Sequence, residues 1–288
     1  MRWNERRTRF RALFAGDRCV HPGSVFDPLS ARIAEELGFE AGMFAGSVAS
    51  LTVLGAPDLI VLTLSEFAEQ AYRINRATEL PLMVDADHGY GNALNVTRTV
   101  EELEAAGVAG LSIEDTLLPQ PFGAKDKGQL ISIEEGAGKM RAALAGRRDP
   151  KLMIAGRTSA VSITGVDDAA RRIAAYEAAG VDALFLIGVK TKAQLETLRG
   201  AATLPMILGG AGPEIMDLDY LSSMGVRLCL QSHAPFMAAV QATYDTLKAL
   251  RDGTPPKELK GVATPETMQR LTRAADYTAW TKDFLGGK

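Results

Sequence analysis

The chain has little of several things that would mark an obvious function. It holds two cysteines, Cys19 and Cys229, and three histidines, His21, His88 and His233, among 288 residues. That is no disulfide framework and no zinc cluster, and it fits a reducing cytosol. Neither cysteine stands at a strand end with a base beside it, so no thiolate nucleophile is argued. No apolar run approaches the ~20 residues that a membrane-spanning helix requires. The charged first residues contain no apolar signal-peptide core. Basic blocks are missing too: 32 Lys and Arg face 35 Asp and Glu, a net charge of −3. A nucleic acid would find little electrostatic support there. The one locally basic stretch, RWNERRTRFR at residues 2–11, reads as the solvated face of a helix. There is no P-loop and no dinucleotide-binding glycine fingerprint. The GGAG run at 209–212 could cradle an anion, but alone it is a weak signal. These absences describe a soluble cytoplasmic protein with no nucleic-acid and no membrane partner.

What the chain does have is a recurring pattern. Hydrophobic residues make up 47% of it, enough for a large core. Four times a helix-like stretch ends in glycine and an apolar run follows: EELGFEAGMFAGS from 35, EAAGVAGLSIED from 104, EAAGVDALFLIG from 177 and SSMGVRLCLQSH from 222. Gly38, Gly107, Gly180 and Gly225 suit the left-handed position that ends a helix. In LPLMVDAD and LPMILGG a proline enters the strand, where it is tolerated. Strands are expected near 18–25, 41–47, 81–87, 108–114, 151–157, 181–188, 204–210 and 226–232, with helical patterns between them and a long one at 234–252. Eight strands alternating with helices predict an α/β fold, a (β/α)8 TIM barrel, rather than an open doubly wound sheet. The barrel is expected over 1–253. A C-terminal helical extension is expected over 254–288; it either packs on a neighbouring subunit or covers its own barrel.

Barrel chemistry lies at the C-terminal ends of strands. Those ends read Gly46-Ser47, Asp85 with Asp87, Glu114-Asp115, Arg157, and Ser232-His233. Residues alternate along a strand, so Asp85 and Asp87 are expected on one face with Ala86 on the other. Together with Glu114 they would repel one another unless a cation sat among them, and clustered carboxylates suit a hard divalent ion. Their other reading is the capping of a turn or helix. Arg157 either grips a substrate carboxylate or pairs with a nearby acid. Ser47 is a candidate donor to substrate or a turn serine. His233 either meets an anionic substrate or is a satisfied buried histidine. His88 reads as an orienting residue and His21 as structural.

DADHGYG at 85–91, then IEDT at 113–116 and GRT at 156–158, resemble the isocitrate lyase / phosphoenolpyruvate mutase superfamily, in that order and over about residues 18–250. The resemblance implies a barrel, a Mg2+ ion (or Mn2+ in its place), a 2-oxo acid or its enolate as ligand, and homo-oligomers, dimers or tetramers, that exchange a C-terminal helix. Lyases of the group carry a cysteine-bearing K-[KR]-C-G-H segment after strand four. Here the loop reads TLLPQPFGAKDKGQL, with neither cysteine nor histidine. What remains is similar to the oxaloacetate decarboxylase branch, in GSVASL, in TLLP and in QSHA. That resemblance implies Asp85 as direct metal ligand, Asp87 and Glu114 acting through water, and Ser47, Arg157 and His233 at the substrate, the last two in catalysis. It implies a carboxy-lyase giving pyruvate and CO2. A lyase of methylisocitrate type and a phosphonopyruvate hydrolase or mutase are the alternatives.

Overall fold

The computed structural model describes residues 2–123 and 128–286. The centre of the 116–130 loop, residues 124–127, lies outside the described residues. Eight parallel strands run in sequence order: β1 Gly23–Ser24, β2 Gly42–Phe44, β3 Leu82–Asp85, β4 Gly110–Glu114, β5 Met153–Thr158, β6 Ala183–Leu186, β7 Met206–Leu208 and β8 Val226–Cys229. Just before β1, Val20 bridges to β8 and closes the ring: its N–H donates to the Arg227 carbonyl at 3.0 Å, and Cys229 N–H donates to Val20 O at 3.0 Å. The expected barrel is therefore observed. Its strands are shorter than the apolar runs suggest, because the ladder covers only part of each run.

The helices between strands begin at side chains suited to capping. Asp27, Thr63, Asn92, Ser132 and Thr191 each accept a hydrogen bond from a backbone N–H of the first turn. Gly38, Gly107, Gly180 and Gly225 have φ of 80°, 87°, 97° and 80°, the left-handed geometry expected of them. One helical element was not anticipated: Gly46–Ala49 continues as a π-helix over Ser50–Leu54. Its AGSVASLTVL sequence has the small and β-branched residues of a strand or loop.

Two apolar layers form. One lies between sheet and helices. The other fills the barrel, where Met43, Met83, Met153, Phe185, Ile207 and Leu228 meet Phe10 and Phe14 of the N-terminal helix Arg2–Ala15. That helix plugs the barrel floor. The expectation that its basic stretch is a solvated face is corrected here, because Arg6 and Arg7 are 0% and 4% exposed. Arg6 Nη1 donates to Asn75 O at 2.6 Å, and Arg7 donates to Val108 O at 2.9 Å and Glu104 O at 2.7 Å. Arg11 Nε reaches Lys151 O at 2.9 Å. Asn75 and Glu104 belong to the last turns of their helices, and Val108 and Lys151 precede β4 and β5, so the arginines satisfy backbone carbonyls at helix ends and strand entries.

By its internal contacts the chain divides into Met1–His233 and Ala234–Lys288. The second unit carries the helices Ala234–Arg251, Pro265–Leu271 and Ala274–Leu285, so the long helix groups with the tail. Within it Tyr277 and Trp280 meet edge to face, with centroids 5.1 Å apart. No described helix is long and apolar enough to cross a membrane.

Phe10 is fully buried, and a Cβ added at Gly110 would come within 2.5 Å of its ring. Phe10→Ala is expected to cost about 3–5 kcal/mol of stability in urea denaturation followed by circular dichroism. A loss below about 1 kcal/mol would show that the helix does not plug the floor.

Candidate active site

The strand register brings the site together. Asp85 pairs with Ser112, Glu114 with Arg157, and Arg157 with Phe185 across β3 to β6. Ser112 and Glu114 therefore share the β4 face that meets Asp85. Ser112 Oγ donates to Asp85 Oδ1 at 2.9 Å, and Thr116 Oγ1 donates to Glu114 Oε2 at 3.0 Å. Arg157 lies between the two acids. Its Nη1 donates to Asp85 Oδ2, and its Nη2 is 3.3 Å from Glu114 Oε2. Its guanidinium carbon stands 5.5 Å from the Phe185 ring centre.

Asp87 reaches the site by a different route from the one alternation predicts. The strand ends at Asp85, and Asp87 adopts a left-handed conformation with φ 48°. Aspartate tolerates that region better than most residues. The turn still aims its carboxylate into the cavity that Asp85 lines. Gly46 makes room for it, since a Cβ there would sit 2.5 Å from Asp87 Oδ1 and 2.6 Å from Oδ2. Among the described residues nothing donates a hydrogen bond to that carboxylate.

All six predicted site residues, Ser47, Asp85, Asp87, Glu114, Arg157 and His233, line one cavity of about 300 Å³. Asp58, Leu118, Gln120 and Ser232 also face it, and Met43, Phe185, Ile187 and Leu230 give it an apolar wall. No periodic signal marks Asp58, which sits on an irregular loop. Ser112 could have been found, because LSIE alternates and places it two residues before Glu114. His233 Nδ1 lies 2.9 Å from Ser24 Oγ, a partner distant in sequence. His21 Nδ1 lies 2.6 Å from Cys229 O, a structural contact. The His88 ring packs near the Tyr90 ring, with centroids 6.1 Å apart, and its Nδ1 is buried with no hydrogen-bond partner among the described residues. Its backbone carbonyl accepts from Lys139 Nζ at 2.9 Å.

The electrostatics are those of excess negative charge. Burial, and then the charges of Asp85, Glu114 and Asp58, hold the Asp87 carboxyl well above the usual carboxylate range, with Arg157 only partly offsetting them. Burial and Asp85 raise Glu114 as well, against Arg157 and the Thr116 hydrogen bond. Burial works against the Arg157 charge, yet Asp85 and Glu114 overcome it and keep the guanidinium cationic. Burial lowers His233, with Asp85 opposing, and burial beside Lys139 lowers His88 to about 4. Both thiols are buried, Cys19 pushed up to about 12 and Cys229 to about 11, so neither is a nucleophile.

Three carboxylates share one arginine, which leaves a deficit of positive charge. Clustered carboxylate oxygens are the set preferred by hard divalent cations that retain waters. Among the described residues no three acidic, histidine or cysteine side chains form a ready-made ligand shell. The residues thus fit a cation held partly through water better than one fully caged by protein.

A closed (β/α)8 barrel with its acids and its arginine at the C-terminal strand ends belongs to the class of barrel enzymes that work at the barrel mouth. The chain is a member of the phosphoenolpyruvate phosphomutase family, whose profile matches residues 10–251. It is 59% identical to oxaloacetate decarboxylase of Rhodopseudomonas palustris (strain BisB18) over 100% of both chains. It is 30% identical to an oxaloacetate acetylhydrolase solved with the inhibitor 3,3-difluorooxalacetate, with a TM-score of 0.85 and 98% of each chain covered. It is 27% identical to a phosphonopyruvate hydrolase solved with oxalate and Mg++, with a TM-score of 0.86, covering 97% of this chain and 99% of the other.

Asp87 destabilises the metal-free fold when ionised, because its folded pKa lies above its unfolded one. The penalty is complete above the raised pKa and vanishes as pH falls below the unfolded value of about 4. In metal-free buffer at pH 8, Asp87→Asn is expected to raise stability by about 1–2 kcal/mol, a few degrees in Tm. The gain should shrink on acidification. Scanning calorimetry at two pH values checks it, and an equal or lower Tm at pH 8 would count against buried repulsion.

Proposed function

We propose that the protein decarboxylates oxaloacetate to pyruvate and CO2, with Mg2+ as its working ion and Asp85, Asp87 and Glu114 as the residues that hold it. The observation that carries this reading is a small cavity in which clustered carboxylates and one fixed guanidinium face an apolar wall. Loss of CO2 needs no base, because the departing carboxylate is already ionised. The full-length similarity to an oxaloacetate decarboxylase points to the same substrate.

When bound, the divalent ion supplies Lewis-acid stabilisation for the negative charge that develops as the carbon–carbon bond breaks. Asp85, Asp87 and Glu114 are the residues that would hold it, Asp85 directly and the other two through water. Arg157 receives a substrate carboxylate in its planar fork and fixes the reacting pose. The Ser47 hydroxyl, and the free N–H groups where the helix Gly46–Ala49 begins, face the developing oxyanion. The C3–C4 bond breaks, its electron pair enters the C2–C3 bond of pyruvate enolate, and CO2 leaves. His233, anchored through Nδ1 to Ser24, or a water beside it, returns a proton to C3. The apolar side, Phe185, Ile187 and Leu230, excludes water while the charge moves.

The active form we propose is a cytoplasmic homo-oligomer, a dimer or tetramer in which the C-terminal unit docks on a second copy. In support, the helix Ala234–Arg251 has no buried residue, and Met237, Val240, Tyr244 and Leu247 are all more than half exposed. A monomer rarely leaves so much contiguous apolar surface uncovered.

Pyruvate release from oxaloacetate should exceed the metal-catalysed background and stop with EDTA. Asp85→Ala should lower kcat on the order of 10³-fold, matching the several kcal/mol assigned to charge stabilisation. Arg157→Lys keeps the charge and loses the fork, and should raise KM about 10- to 100-fold. Turnover indifferent to EDTA and to Asp85→Ala would sink the reading.

A further inference from the structure

One buried charge has no place in the chemistry above. Lys139 lies in the middle of the helix Ile133–Gly146 and is 3% exposed. Burying an ammonium is costly unless it is well used. Among the described residues Lys139 forms no ion pair and a single hydrogen bond, from Nζ to the His88 carbonyl at 2.9 Å. Burial weakens its charge, and Glu135, Glu114 and Asp115 support it from a greater distance.

The carbonyl it holds belongs to an unusual turn. Asp87 and Tyr90 have φ of 48° and 58°, and Gly89 and Gly91 have φ of 80° and 148°. Non-glycine residues persist in that region only where their surroundings over-determine them. Three successive carbonyls are fastened from three elements. Asp87 O accepts from Glu114 N–H at 2.8 Å, His88 O from Lys139 Nζ at 2.9 Å, and Gly89 O from Thr99 Oγ1 at 3.0 Å. Gly89 N–H closes the turn onto Ala86 O at 2.9 Å. Of these clamps only Lys139 is charged, so it is the strongest. Without it the His88–Gly89 peptide keeps only its Gly89 N–H bond to Ala86 O, and the turn can relax back towards Asp87, whose own carbonyl is then held by Glu114 N–H alone. The Asp87 carboxylate would then swing out of the notch that Gly46 leaves for it.

We infer that Lys139 is a positioning residue of the active site: by gripping the His88 carbonyl it keeps Asp87 in its left-handed conformation, with the carboxylate turned into the cavity. The inference rests on the metal-site reading above, because Asp87 matters there as a holder of the cation.

The test compares Lys139→Met, which keeps the shape and loses the donor, with Lys139→Arg, which restores a donor and the charge. Thr99→Val is the control for loss of a neighbouring clamp beyond Asp87. Mn2+ affinity is measured by titration calorimetry, kcat and KM on oxaloacetate, and backbone hydrogen exchange by mass spectrometry. Lys139→Met should fold, bind Mn2+ about tenfold or more weakly and lose a similar factor in kcat, as when an outer partner of a metal ligand is removed. Its KM should change little, and exchange should quicken at 86–91 but not along 133–146. Lys139→Arg should recover most of the affinity, and Thr99→Val should lose less than Lys139→Met. A folded Lys139→Met with wild-type Mn2+ affinity and kcat would overturn the inference. If Lys139→Met does not fold, Lys139→Arg decides: near-wild-type affinity supports the inference, and a tenfold loss in a folded protein overturns it. Wild-type protein that binds no Mn2+ would defeat the metal-site reading instead, and exchange at 86–91 in Lys139→Met would then decide the positioning role alone.

Discussion

Three buried carboxylates facing a single arginine set the terms for everything else in the barrel mouth. Asp85, Asp87 and Glu114 cannot all ionise next to one another in a desolvated pocket without a counter-charge. Arg157 supplies part of it, paired with Asp85 and Glu114. The remainder falls on Asp87, whose carboxyl is pushed furthest. A folded chain that keeps such an arrangement gives up stability to hold a site that wants one more cation.

The scaffold can sustain that conflict because it is rigid on every side. Asp85 and Glu114 stand on adjacent parallel strands whose register fixes their spacing. Below them the barrel is filled by methionine and aromatic side chains and closed by the N-terminal helix. The arginines of that helix tie two helix ends to the entries of β4 and β5, which braces the floor beneath the carboxylates. Beside the site, Gly46 leaves a notch for Asp87, and Lys139 and Thr99 pin the turn that carries it.

Much of this was legible in the sequence. The eight apolar runs, the glycines that end helices and the polar strand ends follow from short-range periodicity, and they sufficed for the barrel and for six cavity residues. The features that escaped depend on long-range geometry. Basic residues in an amphipathic segment look solvated until the carbonyls of distant loops come into view, as they do for Arg6 and Arg7. Strand alternation suggested Asp85 and Asp87 on one face, whereas the chain leaves the strand after Asp85 and returns Asp87 by a left-handed turn. Asp58 sits on irregular backbone with no pattern to flag it, and Ser24 meets His233 only through a contact distant in sequence. Lys139 lies on a helix where lysine ordinarily faces water.

On the proposed reading, the mouth lacks positive charge and takes a divalent ion together with a planar dianion resembling the enolate. Thermal unfolding with Mg2+ alone, oxalate alone and both together tests it most directly. A ligand that binds only the folded chain raises Tm according to its concentration over Kd. A small rise with Mg2+, little with oxalate, and a rise with both that exceeds the sum would fit a site in which the ion completes the charge that the anion needs. Identical melting in all four conditions, including the untreated protein, would contradict it.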